Sequence, residues 1–370
     1  MITITLCLIV KNEEDVLRRC LDSVAEIVDE IVIVDTGSTD RTKAIAAAYT
    51  DAIYDFEWID DFAAARNYAF SQATSAYILW LDADDLFLEA DRRKLLELKA
   101  SLQPDIDTVS MHYNLAQDEY GRVTRSLRRN RLVKRSRNFK WIGAVHEYLE
   151  VYGVSLASDI AVTHASLRHD HNRNLRIYEK RLEAGEAFGP RDLYYYANEL
   201  KDHARYEEAI AYYVKFLETR EGWVEDNIAA CGKLSDCCAA IGSSEQTLDY
   251  ALLSFRYGSP LPEFCCRIGF WHLNQGAYAT AAYWYEAALQ APKSEQTWTL
   301  GNLSCETWLP HLQLCVCYDK LGDLRKAFWH NEQARAFRPN DAAVLYNKAY
   351  LEGLLFPEER LSGENAAESN

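Results

Sequence analysis

The chain has 370 residues, 49% of them hydrophobic, which is enough for two domains each with its own core and too ordinary a composition for long disordered stretches. A formal net charge of -16 argues against a general nucleic-acid binder, because such a balance releases no counterions along a phosphate backbone. No run approaches the roughly 20 apolar residues that cross a bilayer, and eight of the ten cysteines sit in helical-looking sequence without paired C-x-x-C spacing, so buried free thiols in a reducing cytoplasm are expected.

Up to about residue 115, strand-like and helix-like runs alternate. Residues 2–10 read as a first strand rather than a signal peptide, since no basic region precedes them and Lys11-Asn12-Glu13-Glu14-Asp15 follows at once. Helical periodicity is expected over 13–28, a strand over 30–35, a helix over 40–49, a short strand over 52–56, a helix over 62–73 and a strand over 76–82. That order implies parallel pairing with helices on both faces, and ligands in such sheets lie beyond the carboxyl ends of the strands. Three polar clusters, Lys11-Asn12-Glu13, Asp35 to Asp40 and Asp82-Ala83-Asp84, are therefore expected at one rim.

The strand over 76–82 is the pivot, an apolar run that stops in Asp82, Asp84 and Asp85. Strand alternation puts Asp82 and Asp84 on one face, where two carboxylates repel unless they share a hard divalent cation with oxygen ligands. The plainer alternative is that these acids end the strand and cap the helix after it. Further strands are expected over 105–116, 122–134, 141–151 and 159–163. Between Gly121 and Lys140 lie nine basic residues and no acidic one, either a substrate contact or an edge strand protected by charge.

From about residue 172 the sequence reads as helix with a repeat. Gly276, Tyr278, Ala281, Tyr285 and Ala288 recur in kind as Gly322, Leu324, Ala327 and Ala334, with another copy over 202–213 and a weaker one over 242–254. Four tetratricopeptide-like helix pairs are expected from about 193 to 355, with an insertion near 293–306, forming a solenoid. Its role is open between holding a peptide or partner, bracing the other domain and self-association; Tyr283, Trp284 and Tyr285 make a homodimer one possibility. The domains are thus 1–168, a helical linker over 169–192, the repeats over 193–356 and an unstructured tail over 357–370.

Leu8-Ile9-Val10-Lys11-Asn12-Glu13-Glu14, Val34-Asp35-Thr36-Gly37-Ser38-Thr39-Asp40 and Trp80-Leu81-Asp82-Ala83-Asp84-Asp85, in that order, resemble the motifs of family 2 glycosyltransferases, inverting enzymes of the GT-A fold that use nucleotide-diphosphate sugars. The whole layout is similar to the subgroup with C-terminal tetratricopeptide repeats, which includes enzymes that sugar-modify bacteriocin peptides. The resemblance implies an α/β GT-A domain, with a Rossmann-like mixed sheet, followed by an all-α repeat solenoid.

It also implies roles. Asp35 accepts from the nucleotide base, with Ser38 in the turn that shapes the pocket; Asn12 and Glu13 line the base or ribose side, and Arg66 contacts the nucleotide. Asp82 and Ala83 lie along the nucleotide sugar. Asp82, Asp84 and His164 hold Mn²⁺ or Mg²⁺. The base that deprotonates the acceptor is Glu147 in a W-x-G-x-x-H-E pattern, with His146 and Asp85 as alternatives. His169 and His171 read as solvated. The implied reaction moves a sugar from a UDP-sugar to a peptide or protein side chain in the cytoplasm. Alternatives are a glycan or lipid-linked acceptor for cell-surface polysaccharide, and a repeat scaffold with a degenerate transferase domain. Phosphate-loop, dinucleotide-fold and serine-hydrolase signatures are absent from the sequence.

Overall fold

The computed structural model describes residues 1–117, 123–165, 172–292 and 302–356. The expectations for His169, His171, the tail over 357–370 and most of the 293–306 insertion fall outside them. The chain divides into two compact units, Met1–Phe188 and the residues from Gly189 onward.

The first unit is built on strands β1 (Ile4–Val10), β2 (Glu30–Asp35), β3 (Ile53–Asp55), β4 (Tyr77–Trp80), β5 (Asp85–Leu86), β6 (Thr108–Gln117), β7 (Val123–Lys134), β8 (Lys140–Ile142), β9 (Tyr148–Glu150) and β10 (Ser155–His164). Its helices are α1 (Leu17–Asp22), α2 (Thr42–Ala46), α3 (Phe62–Gln72), α4 (Glu89–Ser101) and α5 (Arg173–Glu183). Eight strands form one mixed sheet in the order β3-β2-β1-β4-β7-β6-β10-β5, and β8 pairs with β9 separately. β1 pairs in parallel with both β2 and β4, while β7 runs antiparallel to β4. This is the mixed sheet of the GT-A class. Its central strands are near-continuous apolar runs because both faces are covered. One face carries a core of Leu6, Leu8, Leu17, Leu21, Leu79 and Leu95, the other a core of Val32, Val34, Ala63, Ala69, Trp80 and Trp141.

Several expectations need correction. The helices over 13–28 and 40–49 contract to α1 and α2, one or two turns each. β4 stops at Trp80, and Asp85 N–H donates to the Asp82 carbonyl at 3.0 Å. The acids thus sit in a turn, and the strand alternation expected to align Asp82 with Asp84 does not operate there. β7 lies between β4 and β6, so its basic residues do not guard a sheet edge. Several basic residues of β7 and of the turn after it are spent internally. Arg128 donates to the Ser110 and Ser158 carbonyls, Arg137 forks onto Asp107 at 2.7 Å, and Arg135 donates to the Ser75 carbonyl. The single strand expected over 141–151 is broken by Gly143 and His146, both in left-handed backbone, into β8, a loop and β9.

The second unit is a series of helix pairs: α6 (Pro190–Asp202) with α7 (Tyr206–Thr219), α8 (Val224–Ala240) with α9 (Ser244–Leu253), α10 (Pro262–Asn274) with α11 (Tyr278–Gln290), and α12 (Trp308–Lys320) with α13 (Leu324–Phe337), followed by α14 (Ala342–Leu355). These are tetratricopeptide-type pairs. Each pair turns through one left-handed residue, Ala204, Gly242, Gly276 or Gly322, and closes with the same two bonds. At the third turn, Gly276 N–H donates to Leu273 and Ala277 N–H to His272; the other three repeat this spacing. Close helix approach explains the small residues. Ala209, Ala281, Ala288, Ala327 and Ala334 are buried, and a Cβ on Gly269 would meet the Tyr285 ring at 3.1 Å. Tyr285 is buried and Trp284 stacks on Phe255, so of the three aromatics expected to drive dimerisation only Tyr283 is well exposed. All ten cysteines are free and buried. Among the described residues no helix is long and apolar enough to cross a membrane.

Candidate active site

The carboxyl ends of β1, β2 and β4 face a cavity of about 350 Å³. Of the residues expected at the site, Glu13, Arg66, Asp82, Ala83, Asp84, His146, Glu147 and His164 line it. Asn12, Asp35 and Ser38 are not among the lining residues and instead build the turn whose Thr36 reaches the cavity. Asp35 Oδ1 accepts from the N–H groups of Gly37 and Ser38 at 2.9 and 2.8 Å. Asn12, itself left-handed, accepts from Thr39 N–H at 2.8 Å and donates its own N–H to Ser38 Oγ at 2.9 Å. The other Asp35 oxygen, Oδ2, is buried with no hydrogen-bond partner among the described residues. A buried orphan acceptor costs about 1–3 kcal/mol unless something donates to it.

Arg66 is the hub. Asp61 caps α3 by accepting from Ala64 N–H, and the buried Ala63, Ala65 and Ala69 let that helix sit close to the sheet. Arg66 Nε donates to Glu147 Oε1 at 2.5 Å and an Nη to Asp82 Oδ1 at 2.6 Å. Its guanidinium lies 4.9 Å from the centroids of both Trp80 and Trp141, which themselves meet edge to face at 4.7 Å. Asn67, the next residue, clamps the Trp141 backbone, donating to its carbonyl and accepting from its N–H at 2.9 Å each. Burial opposes the charge on Arg66, but Asp82 and Glu147 outweigh it and raise its pKa. Burial likewise pushes Asp82 up, and Arg66, then Arg131, overcome it and hold the carboxyl at about 2.

A second cluster lies beside it. β5 and β10 pair so that Asp85 stands opposite His164, and Ala165 N–H donates to the Asp84 carbonyl at 2.9 Å. His164 Nδ1 is 3.5 Å from Asp84 Oδ1, 3.5 Å from Asp85 Oδ1 and 2.9 Å from the Tyr113 hydroxyl. Hydrogen bonding to Asp84 and then Asp85 raises the ring's pKa to about 10 against the opposing effect of burial. Asp84, Asp85 and His164 offer ligand atoms within 4.8 Å of one another, and beyond the His164 ring at 3.5 Å the buried Asp85 Oδ1 has no hydrogen-bond partner among the described residues. Two carboxylates and an imidazole with one orphaned oxygen fit a divalent cation. Asp82, also expected to be a metal ligand, accepts from Arg66 through Oδ1 and is not part of this triplet.

Asp85, the other alternative base, is fully buried, accepts from Asp82 N–H at 3.0 Å, pairs with Arg131 at 2.9 Å and is not among the residues lining the cavity. Arg131 is 0% exposed and stacks on Trp80 and Tyr113 at 4.0 and 4.5 Å. It is the extra residue of a β-bulge: Val109 pairs with Leu132 and Ser110 with Asn130, leaving Arg131 unopposed and turned under the site. Glu13 faces both clusters; burial, then repulsion from Asp84, pushes it up to about 7, with Arg173 pulling the other way.

Sequence reasoning assigned no site role to Arg131 or Arg129 individually and missed Arg173, Trp58 and Phe62. Only the unusual density of arginine over 122–137 hinted at the first two.

Residues 5–151 match the family model described as Glycosyl transferase family 2. A TPR repeat-containing protein of Synechococcus elongatus is 42% identical over 133 residues, 35% of this chain and 32% of that protein. The SPbeta prophage-derived glycosyltransferase SunS of Bacillus subtilis is 30% identical over 229 residues, 58% of this chain and 53% of that protein. The C-terminal part of a TPR repeat-containing protein from Cytophaga hutchinsonii superposes with a TM-score of 0.42 at 14% identity, covering 51% of this chain and 68% of that one. The chain thus matches between about a third and a half of the length of these two curated relatives.

Proposed function

We propose, for a chain whose N-terminal unit carries a family 2 glycosyl transferase domain, that it is a metal-dependent inverting glycosyltransferase moving a sugar from a UDP-sugar to a peptide or protein side chain. The observation that carries this reading is the pairing of two clusters at one cavity beyond the strand ends: Asp84 and His164, backed by the buried Asp85, as a cation site, and Glu147 held by Arg66 alongside it.

In this reading Asp35 presents its orphaned Oδ2 to an N–H of the nucleotide base, and the Asn12–Ser38 bond keeps the turn around it rigid. Asp84 and His164 hold the cation, with Asp85 closing the set. The imidazole favours Mn²⁺ over Mg²⁺, which prefers oxygen ligands. The bound ion supplies Lewis-acid stabilisation of the departing diphosphate. Arg66 acts as a positioning residue: it orients Glu147 and fixes Asp82 at the donor, while Trp80 and Trp141 keep water from its guanidinium. Glu147 takes the acceptor's proton, with His146, left-handed and on the same cavity wall, as the alternative base. The repeat unit contributes acceptor recognition, and ten thiols without a disulfide suit a reducing cytoplasm.

A glycan acceptor is the second reading, favoured by 36% identity over 94 residues to a lipopolysaccharide core biosynthesis glycosyltransferase of Rhizobium meliloti, 24% of this chain and 34% of that protein. Calorimetric titration of UDP and UDP-sugars with and without Mn²⁺, against wild type and Asp84→Ala, tests the donor site: metal-dependent binding lost in the variant is expected, and no binding under any condition sinks the reading. Transfer of labelled sugar to a peptide fraction rather than a lipid extract separates the two acceptors.

A further inference from the structure

In the proposed transfer the bond between sugar C1 and the diphosphate oxygen breaks and a bond from C1 to the acceptor atom forms. The electron pair of the broken bond stays on the nucleoside diphosphate, and the acceptor's proton passes to the base. The leaving group therefore gains one negative charge, in a cavity already lined by Glu13, Asp82, Asp84 and Glu147. One divalent ion offsets only part of that charge.

The cations of the cavity divide by what already holds them. Arg66 is spent on Asp82 and Glu147, and Arg131 lies beneath, paired with Asp85. Lys11 lines the cavity but is exposed, where water and salt screen it. Arg129 and Arg173 remain. Arg129, on β7, has a buried Nε without a hydrogen-bond partner among the described residues, and its charge helps depress Asp82. Arg173, the first residue of α5, lies over the Phe62 ring at 4.6 Å and pulls Glu13 downward. Among the described residues neither guanidinium is held in an ion pair. A guanidinium forks onto phosphate oxygens, and a flat aromatic support fixes its plane without using its donors.

We propose that Arg129 and Arg173, brought to one cavity by β7 and α5, form a clamp for the diphosphate of the donor and for the charge that develops on it as it leaves. This rests on the glycosyltransferase reading above. It also makes α5, which follows the family-matched residues 5–151, a working part of the donor site.

The test is calorimetry on the full chain with Mn²⁺, using UDP, inorganic pyrophosphate, and uridine measured by displacement of UDP. The proteins are wild type, Arg129→Gln, Arg173→Gln and Arg173→Lys, each checked for an unchanged melting temperature. Each Gln variant is expected to weaken UDP and pyrophosphate by about 10-fold, the loss of one charge-assisted contact, with uridine unchanged. Arg173→Lys should recover part of the loss, and the salt dependence of UDP binding should flatten in both Gln variants. UDP affinity within about twofold of wild type in both Gln variants, or uridine falling in parallel with UDP, overturns the clamp. Those outcomes leave the donor site standing; a wild type that binds no UDP removes both.

Discussion

The two units solve the same problem, placing side chains in register, by opposite means. The helical unit repeats one local device four times: a left-handed residue, two closing bonds and a small residue where helices touch. Its contacts are short-range in sequence. The sheet unit gathers its chemistry from far apart: Arg66 and Glu147 are 81 residues distant, and Asp85 meets His164 only because β5 and β10 pair. Locally encoded structure fails in small increments, whereas a polar cluster assembled from distant segments fails all at once when one partner is removed.

The sharpest break is expected at Asp84. Asp84→Ala should lower turnover by about 100-fold or more while the melting temperature stays near wild type, and a variant retaining more than a tenth of wild-type turnover would remove Asp84 from the chemistry. Next is Arg66→Leu, which leaves the partly exposed Asp82 and the more deeply set Glu147 without their cation beside two indoles. It should cost about 3 kcal/mol in urea unfolding, the low end for a broken buried pair because Asp82 is partly exposed, whereas an isosteric swap at an exposed pair such as Lys43–Asp55 should leave the unfolding midpoint near wild type.

Acid should separate the units. Burial, then His311 at 2.9 Å, holds His330 near 4, below the ordinary 6.5, so the unfolded chain takes up that proton first. The stability it contributes is complete above pH 6.5 and drains as pH falls towards 4. Asp82, held at about 2, contributes stability that is complete above its ordinary 3.8 and is lost as pH falls through 2. Helical circular dichroism should therefore fall in two steps, an upper one between pH 6.5 and 4 and a lower one as pH falls through 2. His330→Gln should flatten the upper step, and a single step untouched by that variant would contradict the assignment.

The smallest effect tests the repeated turn itself. Ala204 holds a left-handed conformation that its three counterparts fill with glycine, so Ala204→Gly should stabilise by up to about 1 kcal/mol and Gly276→Ala should destabilise by a similar amount. Equal melting temperatures for both variants would mean the turns are not equivalent.

The same contrast explains what the sequence revealed. The fold class of both units was legible because apolar runs, alternating elements and a repeat are periodic signals carried by neighbouring residues. The contacts within the cavity were not. Alternation misplaced Asp82 relative to Asp84 because the chain turns directly after Trp80, and a turn held by one backbone bond leaves little trace in an apolar run ending in acids. The basic segment is legible either as a substrate contact or as a charge-protected edge strand, and only the central position of β7, with its bulge at Arg131, removes the second. Arg173 lay beyond every motif, on a helix expected to be a linker.

The ten buried thiols carry a consequence for timing. Burial raises the pKa of both Cys7 and Cys20, suppressing the thiolate that alkylating reagents attack, and eight more cysteines lie buried in the helical unit. Each is chemically silent while its surroundings are closed and reactive once they open. A pulse of iodoacetamide read by mass spectrometry would therefore act as a two-channel clock, with two marks for the sheet and eight for the helices, recording which unit opens first.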